Sequence, residues 1–226
     1  MSERPLLIFD VNETLLDLDS LTLHFERILG DGRTLRDWFA QVILYSEALT
    51  LAGEYFDFGA IGGAVLRMFG EIQSRNVSDE DVLVVKQAVA SMPPHPEVKA
   101  GLERLKSAGF RMVTLTNNPL TTAETQLKRG GLAAYFERMF SIDEVVHQYK
   151  PAPRVYHWVA DELGVTRSQC CLIACHVWDI LGAAATGMQT ALILRSGNGR
   201  LGVGRQPDIV GSDLTAVVNE LIAKHP

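Results

Sequence analysis

Short apolar runs that lack the alternating pattern of a half-exposed strand constrain the fold of this chain more than any other feature. The first is LLIFD at residues 6–10, and the segments CCLIAC and TALIL follow much later. A strand composed only of apolar residues is buried on both faces, which is typical of a parallel sheet covered by helices. Helical patterns separate the runs: Val98, Leu102 and Leu105 share one face of a helix, which Gly109 is expected to end. Strands that alternate with helices predict an α/β fold.

A long segment without strand signals interrupts this alternation after the first run. From about residue 17 to 92 the apolar residues recur at helical spacing, and the prolines of SMPPHPE then forbid further helix. The sequence therefore predicts a Rossmann-like parallel sheet core flanked by helices, with a helical cap inserted after the first strand. We place the α/β core domain at residues 1–16 and 93–226, and the helical cap domain at residues 17–92.

Charge and targeting signals narrow the classes of partner. The formal net charge of −6 argues against a nucleic-acid partner, which usually requires a basic face. The N-terminus carries no signal-peptide pattern, and no apolar stretch approaches the roughly 20 residues that span a bilayer. We expect a cytoplasmic protein that binds neither nucleic acid nor membrane.

Three cysteines, Cys170, Cys171 and Cys175, crowd into one apolar stretch. An odd number in one apparent strand does not make a disulfide framework, so we predict small reduced core residues. A catalytic thiol at Cys175, paired with His176, is the less favoured alternative. The glycine-rich segment SGNGRLGVGRQPD is predicted to be an exposed loop, because its spacing is not that of a dinucleotide-binding turn.

Four polar clusters fall at or near the ends of the predicted strands. They are Asp10–Thr14, Thr116–Asn118, Lys150, and His176–Asp179. Each alone has an ordinary explanation, since a strand-terminal aspartate often caps a turn and a lone histidine is usually structural. Because ligands bind outside the carboxyl ends of parallel strands, the four together predict an active site at one edge of the sheet.

In order and residue type, these clusters resemble the four motifs of the haloacid dehalogenase superfamily. The resemblance covers essentially the whole chain, including the cap, and KPAPRVY with Trp178-Asp179 resembles the L-2-haloacid dehalogenase branch. It implies a cofactor-independent and metal-independent (S)-2-haloacid dehalogenase. Such an enzyme converts short L-2-haloalkanoic acids and water into 2-hydroxyalkanoic acids and halide, with inversion. The resemblance further implies a homodimer.

The resemblance also implies roles for individual residues. Asp10 would be the nucleophile that forms an ester with the substrate, which splits one difficult step into two. Thr14 would orient Asp10, Lys150 would balance its charge, and Asp179 would hold Lys150. A second set would contact the substrate. The backbone N–H groups of Val11 and Asn12 and the side chains of Thr116 and Asn117 would bind the carboxylate, with Tyr156 near it. Phe39, Ile43 and Trp178 would surround the halide. In the alternative, Phe39, Ile43 and Tyr156 are buried residues that only pack one face of their helices.

Departures from the usual motifs guide the choice of subclass. Superfamily phosphatases carry a second aspartate as general acid where this chain has Asn12, and an amide cannot donate that proton. The last motif also lacks the acidic pair that holds Mg²⁺ in those enzymes. The common dehalogenase pattern has a cap arginine near the halide, yet the stretch around Phe39 has none between Arg36 and Arg67. Tyr45, further along the same helical pattern, is expected in the cap core.

Two further departures suggest a shared task. His176 stands where the pattern usually has asparagine, and Glu13 where it has glycine. We predict that His176 activates the water that hydrolyses the ester and that Glu13 orients it, as carboxylates orient histidine in other hydrolases. In the alternative, Glu13 faces solvent and His176 only contacts halide or substrate. A pairing of Glu13 with Lys150 would exclude the dyad.

Two rival functions follow from the same residues. One is a small-molecule phosphatase of the same superfamily, which Asn12 disfavours. The other is a catalytically silent binding module, which the intact set of Asp10, Thr14, Lys150 and Asp179 disfavours.

Overall fold

A parallel six-stranded sheet forms the centre of the computed structural model, which describes residues 4–225. The order across the sheet is β3-β2-β1-β4-β5-β6, and every neighbouring pair is parallel. The strands are β1 (Leu6–Phe9), β2 (Met112–Thr116), β3 (Arg138–Ser141), β4 (Cys170–Ala174), β5 (Gln189–Ile193) and β6 (Ile209–Gly211). The predicted α/β class with a Rossmann-like parallel core is therefore confirmed.

Helices account for most of the remaining described chain. Those of the inserted segment are α1 (Thr22–Leu29), α2 (Thr34–Ala52), α3 (Phe58–Ile72) and α4 (Asp79–Val89). Those that flank the sheet are α5 (Val98–Ser107), α6 (Leu120–Arg129), α7 (Pro153–Glu162), α8 (Val177–Ala185) and α9 (Leu214–Lys224). None of the helices between residues 4 and 225 has the length and apolar character needed to cross a membrane.

Strand register brings the predicted motifs together. In β1, Phe9 pairs with Thr114 of β2 on one side and with Ile173 of β4 on the other. The loops that follow these three strands consequently leave the sheet at the same edge, where an α/β sheet binds its ligands. The apolar strands β1, β2 and β4 are buried throughout, as their sequence predicts.

Helices α1 to α4 lie between β1 and β2 in the chain, as expected for an inserted cap. Within this insertion, the indole N–H of Trp38 donates to the carbonyl oxygen of Gly62 at 2.9 Å, joining α2 to α3. The two connections to the sheet run side by side: the N–H of Asp17 donates to the carbonyl oxygen of Pro93 at 2.8 Å. The boundaries at 16/17 and 92/93 stay a prediction, and the predicted core also includes residues 1–3 and 226, which lie outside the described residues.

Some elements escaped the sequence pattern. The edge strands β3 and β6 are short, and β3 begins with exposed Arg138, so neither shows a fully apolar run. The expected core position of Tyr45 is wrong, since this residue is 39 % exposed. Helical spacing specifies a face but not whether a neighbouring element covers it.

Candidate active site

Asp10 follows β1 directly and is held from both sides. Its backbone N–H donates to the carbonyl oxygen of Ile173 at 3.0 Å, and its side chain is buried. The hydroxyl of Thr14 donates to Asp10 Oδ2 at 2.6 Å and accepts from the N–H of Cys175 at 3.0 Å. Thr14 thus links the carboxylate to the loop after β4, and its role in orienting the nucleophile stays a prediction.

Lys150 is fully buried and neutralises two carboxylates. Its Nζ lies 2.8 Å from Asp10 Oδ1 and 2.6 Å from Asp179 Oδ2, and it donates to the carbonyl oxygen of Leu115 at 3.1 Å. Burial alone would raise the pKa of Asp10, but the charge of Lys150 and contacts with His176 outweigh it and hold that pKa well below its usual value. Asp10 is therefore an anion at neutral pH, as a nucleophile must be.

Asp179 lies in the first turn of α8, where the helix dipole favours a negative charge. The hydroxyl of Tyr156 donates to its Oδ1 at 2.6 Å, while Lys150 occupies its Oδ2. Tyr156 is completely buried and contacts Asp179 rather than the cavity in front of Asp10. Its expected position near the substrate carboxylate stays a prediction.

His176 bridges two acidic side chains. Its Nε2 lies 2.7 Å from Glu13 Oε2, and its Nδ1 lies 3.4 Å from Asp10 Oδ2. Trp178 stacks on the imidazole with ring centroids 5.0 Å apart, and Phe39 covers it at 5.6 Å. The ring is thereby fixed between the nucleophile and Glu13, which is the arrangement that the dyad hypothesis requires.

Glu13 is buried rather than solvent-facing, and it pairs with Arg36 and not with Lys150. Its Oε1 accepts from Arg36 Nη1 and from Asn198 Nδ2, the latter at 2.8 Å, while Oε2 faces His176. Its backbone φ is +63°, a left-handed conformation that costs a non-glycine residue about 1–2 kcal/mol. Side-chain contacts offset that cost here, and a glycine at this position would adopt the conformation without strain.

The charge state of His176 depends on its neighbours. Burial would lower the pKa of the imidazole, but the adjoining Cys175, Asp10 and Glu13 outweigh it and raise that pKa well above its usual value. Burial likewise would raise the pKa of Glu13, yet His176 and Arg36 lower it. With Asp10 ionised, His176 is therefore an imidazolium ion between two carboxylates.

A small cavity of about 10 Å³ lies in front of Asp10; we call it the reaction pocket. Its walls are Asp10, Asn12, Phe39, Ile43, Phe58, Thr116, Asn117, His176 and Trp178. The structure thus brings together most of the predicted substrate-contact residues. Val11 is buried and does not line this pocket, whereas Phe58, to which no motif in the sequence pointed, completes the apolar side.

Amide side chains fix the polar wall of the reaction pocket. Asn117 Oδ1 accepts from the backbone N–H of Lys150 at 3.2 Å. Asn12 Oδ1 accepts from Asn118 Nδ2 at 3.1 Å and from Gln126 Nε2 at 3.0 Å. The side-chain oxygen of Asn12 therefore already accepts two hydrogen bonds, and the residue supplies no acidic group at this motif position.

Three supporting residues gave no motif signal in the sequence. Arg36 comes from the cap and Asn198 from the glycine-rich loop, and both reach Glu13. Buried Arg195 donates to the carbonyl oxygen of Thr14 at 2.8 Å and pairs with Glu97. The loop from residue 196 onward, predicted only as an exposed connection, thus also contributes a side chain to the site.

Among residues 4–225, Asp10, Cys175 and His176 place potential metal-ligand atoms within 4.8 Å of one another. All three are buried, and burial raises the pKa of the Cys175 thiol, so this sulfur is protonated at neutral pH. The three cysteines are free and buried, as predicted. The Asp10 oxygen that faces away from His176 is already paired with Lys150, whose ammonium supplies the charge that a cation would bring.

Comparison with known proteins places this fold and site in a family. A sequence model described as haloacid dehalogenase-like hydrolase matches residues 5–187, and the chain belongs to that family. The chain is 31 % identical over 194 residues to (S)-2-haloacid dehalogenase 1 of Pseudomonas sp. strain CBS-3, covering 83 % of each protein. It is 25 % identical to haloacetate dehalogenase H-2 of Moraxella sp. strain B, covering 97 % of this chain and 98 % of that protein.

Solved structures show the same fold. The L-2-haloacid dehalogenase of Xanthobacter autotrophicus with chloropropionic acid covalently bound superposes with a TM-score of 0.90 at 22 % identity. The alignment covers 99 % of this chain and 100 % of that one. The helical cap and parallel sheet therefore share one overall arrangement with the solved protein.

Proposed function

We propose that this protein is an (S)-2-haloacid dehalogenase, which hydrolyses 2-haloalkanoic acids of the L configuration to 2-hydroxyalkanoic acids with inversion. One observation carries the proposal: an anionic Asp10, paired with buried Lys150, faces a small pocket whose other side is apolar. The (S)-2-haloacid dehalogenases to which the chain is similar support the same reaction.

In the first step a carboxylate oxygen of Asp10 attacks C2 of the substrate from the side opposite the halogen. The new C–O bond forms as the carbon–halogen bond breaks, and the electron pair leaves with the halide. Phe39, Ile43 and Trp178 would surround the departing halide, and the imidazolium of His176 beside them would offset its charge. A halide needs no proton to leave, so no general acid is required at Asn12.

The substrate carboxylate would bind the polar wall formed by Thr116 and Asn117, assisted by the backbone N–H groups of Val11 and Asn12. Asn117 is fixed by its bond from the N–H of Lys150, which aligns the wall with the nucleophile. Successive N–H groups in a tight loop suit an anion. Binding there would hold C2 in line with Asp10, which lowers the entropic part of the barrier.

Esterification of Asp10 would prepare the second step. It removes the negative charge 3.4 Å from His176 Nδ1, so the pKa of the imidazole falls and the ring loses a proton to solvent. Glu13 would keep the remaining proton on Nε2 by accepting a hydrogen bond from Nε2–H, with the two heavy atoms 2.7 Å apart. Nδ1 is then free to act as the base. Nδ1 takes a proton from water as the water oxygen attacks the carbonyl carbon of the ester. The bond from that carbon to the substrate oxygen then breaks, and the alkoxide takes the proton from Nδ1 and leaves as the 2-hydroxy acid. The second water proton, left on the carboxyl group of Asp10, passes to His176 and restores the carboxylate and the imidazolium.

We further propose that the reaction needs no metal ion or other cofactor. The ammonium group of Lys150 touches both Asp10 and Asp179 and so supplies the positive charge beside the nucleophile. Asp10 therefore needs no divalent cation for charge balance, unlike the phosphatase chemistry in which a metal ion bridges the phosphate.

The decisive experiment measures halide release from (S)-2-chloropropionate in EDTA by the purified protein and by Asp10→Asn. We expect release by the wild type and none by the variant, with ¹⁸O from labelled water entering Asp10 during a single turnover. Magnesium-dependent release of phosphate from small phosphoesters, without halide release, would replace this proposal with the phosphatase. Loss of both activities with retained ligand binding would favour the binding module.

We propose a homodimer that works in the cytoplasm. Free buried cysteines suit a reducing compartment. The dimer interface would be an apolar groove between α2 and α3, which is lined by Tyr45, Leu49, Phe56, Ile61 and Met68. The side chain of Phe56 in the wall of this groove is 54 % exposed. A second copy would cover this groove, so Phe56→Asp should shift the mass measured by light scattering from dimer to monomer, whereas Leu23→Asp, on α1, should not.

A further inference from the structure

A second cavity, of about 200 Å³, lies between the cap and the start of α6. We call it the chain pocket. Apolar side chains from the cap and its return connection supply most of its walls, among them Leu18, Val42, Leu66, Val85 and Met92. The exposed side chains of Asp57 and Lys86 lie at its rim, where the cavity reaches solvent.

The chain pocket adjoins the reaction pocket, because Asn12, Phe39 and Phe58 line both. Asn12 is fixed by the amide groups of Asn118 and Gln126, so the two phenylalanine rings are the movable part of the partition. Aromatic side chains move between rotamers without a change in the backbone. For a substituent to pass from the reaction pocket into the chain pocket, one of these rings must turn aside.

The reaction pocket alone is too small for a substrate with a side chain. Its volume of about 10 Å³ leaves room for about one water molecule. The substituent on C2 must therefore extend beyond it, past a wall other than the one that Thr116 and Asn117 form. The chain pocket begins directly across the phenylalanine partition.

We propose that the chain pocket binds the alkyl or aryl substituent at C2, so that the preferred substrates are medium-chain or aromatic 2-halo acids rather than the shortest ones. This inference rests on the proposed dehalogenation. The size fits: a dry apolar cavity of about 150 Å³ binds benzene, and this one measures about 200 Å³. Each methylene group that enters should raise kcat/KM by roughly fourfold, the effect of burying one CH₂ group.

The test is a chain-length series of (S)-2-bromo acids from propanoate to octanoate, assayed for halide release with wild type, Val85→Phe and Leu83→Phe. Val85 is buried in the wall of the chain pocket, whereas Leu83, on the same helix, is 53 % exposed and serves as the matched control. We expect kcat/KM of the wild type to rise from propanoate to hexanoate. Val85→Phe should lower kcat/KM for hexanoate by at least tenfold while changing that for propanoate less than threefold.

A second variant, Val85→Ala, enlarges the cavity and should move the optimum to a longer chain, so the test does not depend on tolerance of the larger side chain. Two results would overturn the proposed role of the chain pocket. One is a decline in kcat/KM of the wild type from propanoate onward, and the other is an equal effect of Val85→Phe on all chain lengths. Hexanoate without halogen, measured by calorimetry, separates the two proposals. If it binds wild type but not Val85→Phe while no bromo acid reacts, the pocket stands and the dehalogenase does not.

Discussion

Arg36 of α2 donates through Nη1 to Oε1 of Glu13, and so a cap residue holds a carboxylate that belongs to the core loop after β1. The second guanidinium nitrogen, Nη2, lies 2.7 Å from Asp19 Oδ1, which fixes the arginine from the other side. Because the remaining oxygen of Glu13 faces His176, the position of the cap and the orientation of the proposed base are mechanically linked.

Replacement of Arg36 by methionine should impair the second chemical step more than the first. Glu13 would keep His176 and Asn198 as partners but lose the contact that fixes it from the cap. We expect kcat to fall roughly tenfold, the scale of a lost supporting contact, with an intact initial burst of halide. Rapid-quench measurement of halide checks this. Arg33→Met is the matched control, because that side chain is 90 % exposed and pairs only with Asp31.

The Glu13→Gln variant tests the dyad itself. An amide can still accept from the imidazole but cannot stabilise the imidazolium that forms when His176 takes a proton, so ester hydrolysis should slow by about 100-fold or more. One equivalent of halide should appear rapidly, followed by slow turnover, and mass spectrometry should find the ester on Asp10. Combined with His176→Asn, the loss should be far from additive, since both residues act on one step. Additive losses would contradict the pairing.

The raised pKa of His176 predicts a pH dependence of stability. The ordinary pKa of this imidazole is 6.5, and its pKa in the folded protein is higher. Such a group contributes its full stabilisation at pH values below 6.5, and this contribution is lost as the pH rises through the pKa of the folded state. The difference in unfolding free energy between wild type and His176→Gln should therefore be larger near pH 6 than near pH 9, as measured by urea denaturation. A difference that grows toward alkaline pH would mean that the neutral imidazole is the favoured form in the fold.

Tyr156→Phe should destabilise the protein and weaken the contacts through which Asp179 holds Lys150 beside Asp10. The change removes the donor to buried Asp179 Oδ1 and leaves that oxygen without its partner, at a cost of about 1–3 kcal/mol. Urea unfolding measures the loss, and kcat/KM for chloropropionate should fall as well because Asp179 positions Lys150. Tyr45→Phe offers a comparison, as this exposed hydroxyl reaches only the sulfur of Met68. Equal effects of the two changes would argue against a special role for Tyr156.

Much of the site could be predicted because it lies directly after apolar strands. Asp10 follows β1 and His176 follows β4, and neighbouring parallel strands must end at one edge. The resemblance to the dehalogenase motifs then implied a nucleophile at Asp10, and the departure from those motifs at position 176 suggested a base. Lys150 follows no strand directly, so its place in the site rested on the resemblance, and a lysine before proline gave no hint in the sequence that it would be completely buried.

The remaining parts depend on contacts between distant segments, which local patterns do not reveal. Asn198 meets Glu13 across 185 positions, from a loop that carries no regular spacing. Arg36 belongs to no motif, and only the packing of α2 against the motif loop gives it Glu13 as a partner. The prediction for Tyr45 was wrong for the converse reason, because the residue was expected to be covered by neighbouring elements and is exposed.

The left-handed backbone of Glu13 also has a consequence for divergence within the family. Its strain is compensated by partners from the cap, the core and the glycine-rich loop, namely Arg36, His176 and Asn198. A glycine at position 13 would adopt this conformation without strain and would leave all three without the carboxylate that they contact, whereas a change of any one partner would leave Glu13 with the other two. These four positions are therefore expected to co-vary among relatives as one inherited unit, with glycine at position 13 accompanied by different residues at the other three.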